Sequence, residues 1–82
     1  MGPSEYPGWM EDEFGTLTLS VTVAGDEIRL ATVRKADEMD ELWETYIGLP
    51  FERRQLGRWD ASRDRAVKKA EEFLLDKLRR LL

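Results

Sequence analysis

Apolar and polar residues alternate from Thr16 to Val23. Leu17, Leu19, Val21 and Val23 fall on one side; Thr16, Thr18, Ser20 and Thr22 fall on the other. A period of two with β-branched residues on the polar side predicts a half-buried strand. Gly25-Asp26 follows, and then the run Glu27-Ile28-Arg29-Leu30-Ala31-Thr32-Val33. A glycine-first two-residue loop suits a type II′ turn. The resulting hairpin pairs Val23 with Ile28, Val21 with Leu30 and Leu19 with Thr32, all on one face.

The period then changes. Met39, Leu42, Trp43, Tyr46 and Ile47 recur at intervals of three and four, which predicts an amphipathic helix over 37–47. Asp37 can cap it, and Glu38, Asp40 and Glu41 suit the positive end of its dipole. Gly48-Leu49-Pro50 reads as a Schellman-type stop. Residues 51–59 fit either a third strand or an extended loop, with Gly57 weighing against a strand. A second helix is predicted over 61–81, capped by Asp60 or Ser62. Its main stripe is Val67, Ala70, Phe73, Leu74, Leu78 and Leu81, and Leu75 and Leu82 widen it.

The chain is expected to divide into a flexible acidic arm, 1–13, and a single small α+β domain, 14–82. The arm is expected to dock Tyr6, Trp9 and Met10 on the domain or on a partner. The expected fold is an antiparallel β-hairpin, three-stranded if 51–59 joins it, with two α-helices packed on one face.

Composition narrows the chemistry. The 82 residues include neither Cys nor His. That excludes Ser-His-Asp and Cys-His catalysis, disulfides and thiolate metal sites. Asp37, Asp40, Glu41 and Glu44 could share a helix face and offer oxygen ligands to Mg²⁺ or Ca²⁺. Ordinary amphipathicity accounts for such a face equally, and no EF-hand or P-loop spacing accompanies it. No enzyme activity, metal or cofactor is therefore expected. The charged fraction of 37% and the absence of Asn match a thermophile habit, and an Arg-favouring genome gives the same pattern. No apolar run is long enough to span a membrane, and the N-terminus lacks a signal-peptide pattern, so a cytoplasmic location is expected.

Charge is divided along the chain. Residues 1–50 hold 3 basic and 11 acidic side chains, and residues 51–82 hold 10 basic and 6 acidic. Fields of one sign attract the other, so this division points to partners. Arg53, Arg54, Arg58, Trp59, Arg65, Lys68 and Lys69 form a candidate site for nucleic acid or an anionic partner, with guanidinium forks for phosphate and an aromatic to stack on a base. The same residues could instead neutralise the chain's own acids. The acidic half could in turn imitate phosphates, as phage-encoded inhibitors resembling DNA do.

The run Arg54-Gln55-Leu56-Gly57-Arg58-Trp59-Asp60, followed by a helix with Ala66 and Ala70, resembles the last strand and helix of AP2-type DNA-binding domains. The likeness covers about 20 of the 82 residues. The Arg- and Trp-rich first strands of that family have no counterpart here.

Leu75, Leu78 and Leu82 are the candidate self-association residues. The expected function is a small non-enzymatic protein-interaction module. It would form a homodimer through its C-terminal helix and bind or occlude a protein partner through charged faces. The alternative is a nucleic-acid-binding module using residues 53–69.

Overall fold

The computed structural model describes residues 2–36, 39–49 and 52–81, with backbone alone at 39–41, 52, 58, 59 and 81. Six strands precede one helix among these residues: β1 (Gly2–Pro3), β2 (Trp9–Glu11), β3 (Leu17–Val23), β4 (Asp26–Ala36), β5 (Met39–Leu49), β6 (Glu52–Asp60) and α1 (Arg63–Leu81). The strands form one antiparallel sheet in chain order, β1-β2-β3-β4-β5-β6. The expected hairpin with two helices on one face is therefore corrected to a six-stranded antiparallel sheet with a single C-terminal helix.

The difference lies in residues 39–47, expected within a helix over 37–47 and found in β5 (Met39–Leu49). These residues satisfy two periods at once. Read at intervals of two, Trp43, Thr45, Ile47 and Leu49 share the face toward α1, and Leu42, Glu44 and Tyr46 share the other. Thr, Tyr, Trp and Ile all suit a pleated surface. Pairing on both sides, with β4 and β6, decides for the strand. Residues 52–60 are likewise a strand, and their pairing slips on both sides of Thr45–Gly57. Asp37, the expected cap, lies outside the described residues, as does Leu82.

The β3–β4 hairpin forms with a different turn and register. The loop is Ala24-Gly25, with φ of 53° and 85°. Two positive φ values make the I′-type geometry that matches strand twist. Val23 then pairs with Asp26 and Val21 with Ile28, two residues earlier than the expected partners. Ser20 faces Arg29 while Leu19 faces Ala31, so Leu30 is the extra residue of a bulge. Beyond the bulge Leu17 meets Val33, and the apolar residues return to the core side.

Residues 2–11 contribute β1 and β2 to the sheet. The Ser4 hydroxyl accepts from the Tyr6 amide at 3.0 Å and donates to the Trp9 carbonyl at 2.8 Å, tying this segment into a turn. Trp9 is buried in the core.

The core joins Trp9, Leu17, Ala31, Val33, Ile47 and Leu49 of the sheet to Ala66, Val67, Ala70 and Leu74 of α1. Ser62 caps the helix, its hydroxyl accepting from the Arg65 amide at 3.2 Å. Ala66 and Ala70 are both 0% exposed, and the Thr45 hydroxyl donates to the Ala66 carbonyl at 3.3 Å. Small side chains therefore set how near the helix lies to β5. Ala70→Leu is expected to overpack this seam and cost about 1–3 kcal/mol in urea unfolding. Glu72→Ala, on the exposed side of α1, should change stability by no more than about 0.5 kcal/mol.

Candidate functional site

One sheet face is covered by α1. The other is polar, and its rows follow from the register. Met10, Thr18, Thr32, Tyr46 and Gln55 stand side by side across β2 to β6. Ser20 and Arg29 form a neighbouring row on one flank, and Arg34 and Glu44 on the other. Period-two alternation places all of them opposite the core residues.

Three adjoining depressions mark this face, and Arg29 lines each. The largest, about 430 Å³, is bounded by Glu27, Arg29, Gly48 and Arg53. A second, about 250 Å³, adds Met10, Thr18, Ser20 and Thr22. The third, about 220 Å³, adds Thr32, Arg34 and Tyr46. Together they make a shallow trough. Gly48 forms part of its floor: a Cβ there would stand 3.1 Å from the Arg29 carbonyl oxygen, so a larger residue would strain the approach of β4 to β5. Neither Arg29 nor Arg53 has a hydrogen-bond or ion-pair partner among the described residues.

Arg34 is different. Its Nε donates to Glu44 at 3.1 Å, and the Tyr46 hydroxyl donates to the same carboxylate oxygen at 2.8 Å. The guanidinium lies 4.9 Å from the Tyr46 ring centroid. Its pKa is raised, first by the hydrogen bond with Tyr46 and then by that with Glu44. Glu44 is only 3% exposed, so this cluster supports the sheet rather than waiting for a ligand.

The second polar focus lies at the helix N-terminus. Arg63 donates to Glu5 at 3.0 Å and to the Gly15 carbonyl at 3.3 Å, and pairs with Glu11 at 3.4 Å. It also lies over the Tyr6 and Trp43 rings at 5.4 and 5.6 Å. Burial works against its charge, yet hydrogen bonds with Tyr6 and Glu5 and the field of Glu11 hold its pKa above the ordinary value. Here a base of the positive half meets acids of the negative half. Tyr6 donates to Asp64, the second residue of the same helix.

The residues of the expected basic site are dispersed. Arg53 lines the trough. Arg54 lies on the helix side, 4.9 Å from the Phe73 ring centroid. Lys69 reaches both carboxylate oxygens of Asp60 at 2.9 Å. Arg65 and Lys68 are exposed on α1. The side chains of Arg58 and Trp59 lie outside the described residues. Of the self-association residues, Leu75 and Leu78 are exposed. The carboxylate set loses its shared helix face, since Asp40, Glu41 and Glu44 belong to a strand, β5. Among the described residues no His, Cys, Asp and Glu cluster suits a metal ion, and no helix is long and apolar enough to cross a membrane.

Arg29 was not among the sequence candidates. It is isolated in the chain, and its signal was its place beside Ser20 on the polar side of the hairpin. Comparison with protein-family models, with curated proteins and with solved structures finds no match.

Tyr6 provides a pH test of the N-terminal docking. Burial, followed by its hydrogen bond to Asp64, raises its pKa above the ordinary 10.0. A pKa higher in the folded state means the folded protein holds this proton more tightly. The associated stability is complete below about pH 10 and is lost as pH rises through the folded value. Melting temperature should fall above about pH 10. The fall should be shallower in Tyr6→Phe; equal slopes would contradict the docking.

Proposed function

We propose that this protein is a small non-enzymatic interaction module that holds an acidic segment of a protein partner along the uncovered sheet face and self-associates through its C-terminal helix. The observation that carries the reading is the trough in which Arg29 and Arg53, both without partners among the described residues, flank the Gly48 floor. Two available guanidinium forks suit carboxylates, and the Thr18, Ser20, Thr22 and Thr32 hydroxyls can serve backbone groups of an extended chain.

A single-stranded nucleic acid would also meet the arginines, but it needs open aromatic faces as well. Tyr46 lies under Arg34, and Trp43 lies beside Arg63 and Lys35. Lys69, part of the expected basic track, is engaged by Asp60. These features favour the acidic peptide. The exposed Leu75 and Leu78 support self-association.

Fluorescence anisotropy with a labelled polyglutamate peptide and a single-stranded oligonucleotide tests the reading. The peptide is expected to bind at low salt, and Arg29→Ala with Arg53→Ala should weaken it about tenfold, as the loss of two exposed charge pairs implies. No binding, or binding indifferent to the double variant, contradicts the proposal. Oligonucleotide binding that is tighter and falls steeply with salt would favour the nucleic-acid alternative.

A further inference from the structure

The β3–β4 hairpin and the end of α1 leave apolar surface in the same place. Along β5, contacts with α1 advance in parallel: Arg63 lies at Trp43, Ala66 bonds to Thr45, and Phe73 meets Arg54, which pairs with Ile47. At 1.5 Å per residue the helix is about 28 Å long. The stretch of β5 from Trp43 to Leu49 covers only about 20 Å. The last turns of α1 therefore pass the end of β5.

The hairpin passes the same end. Pairing of β4 with β5 stops at Ala31–Ile47, and residues 21–28 continue beyond it. Alternation puts Val21 and Val23 on the helix side with the buried Leu17, and no helix covers them: they are 42% and 55% exposed. Leu75 and Leu78 are 52% and 56% exposed. Phe73 and Lys69 mark the helix flank toward β6, and at 100° per residue Leu75 and Leu78 lie on the opposite flank, over the hairpin side. The two apolar sets thus border one open notch.

The charges around the notch are arranged for a copy of the same surface. The hairpin carries exposed Asp26 at its tip, on the helix side beside Val23, and α1 carries exposed Arg79 at its end, four residues on from Leu75. A two-fold axis through the notch lays the tip of one copy on the helix end of the other, and the reverse at the same time. Acids then meet bases at both ends of an apolar centre.

We propose that Val21, Val23 and the half-buried Ile28 dock on Leu75 and Leu78 of a second copy, with Asp26 opposite Arg79. This rests on the self-association reading and adds the hairpin tip to it.

Sedimentation of the full chain tests both parts. The wild type is expected to dimerise. Val21→Thr with Val23→Thr keeps strand propensity and should weaken the dimer at least about tenfold. Asp26→Lys and Arg79→Glu should each weaken it, and their combination should restore it. The cysteine-free chain permits a second measurement. Mixing Val23→Cys with Leu78→Cys protein under mild oxidation should give the 23–78 cross-link between copies. A dimer lost with Leu75→Glu and Leu78→Glu but indifferent to the tip variants, and lacking that cross-link, overturns the inference and leaves helix self-association standing. A monomeric wild type overturns both.

Discussion

The closeness of α1 to β5 governs this structure. Ala66 and Ala70 present almost no side chain, so the helix settles against Thr45 and Ile47, and Val67 and Leu74 fill the flanks. Once that seam forms, one face of every central strand is assigned to the core. The opposite face must then take the threonines, the arginines and Glu44. The seam also sets the direction of α1, placing Arg63 beside Trp43 and the residue-2–11 segment, and carrying the last turns beyond the end of β5. An 82-residue chain without disulfides depends heavily on such close packing.

Electrostatics follows the same geometry. The negative and positive halves of the sequence meet in specific places rather than as two facing surfaces. Arg63 collects Glu5 and Glu11, and Lys69 collects Asp60 within the positive half itself. Asp76 and Arg80 pair along the helix surface at 3.1 Å. Such exposed pairs add little stability individually. Arg63 is better placed than most, because two aromatic rings and a backbone carbonyl hold the same guanidinium. Arg29 and Arg53, outside these pairs, lie on the uncovered face and give the interaction reading its location.

Much of the hairpin and the last helix was legible in the sequence. The alternation from Leu17 to Val23 has one interpretation, and the stripe from Val67 to Leu81 is too long for a strand. The segment from Met39 to Leu49 has two, because its apolar residues satisfy both periods, and Gly48-Leu49-Pro50 imitates a helix stop. Only pairing with β4 and β6 separates them, and that is a tertiary fact. The turn was misplaced by one residue because Ala24, rather than a second glycine, takes a positive φ. The bulge at Leu30 then moved the remaining partners. The trough was hidden for a related reason: Arg29, Gly48 and Arg53 are brought together only by the β4–β5–β6 register. The stretch from Arg53 to Lys69 looked continuous in sequence, but alternation in β6 and the turn into α1 send its members to different faces.

The fold and both proposed surfaces depend on β5 being a strand seated under the alanine seam. NMR of the uniformly labelled protein addresses this most directly. Strand-type chemical shifts over residues 39–49, with nuclear Overhauser effects between the Thr45 methyl and the Ala66 and Ala70 methyls, are the predicted result. Helical shifts over 39–49, or absence of those methyl contacts in a folded sample, would contradict it.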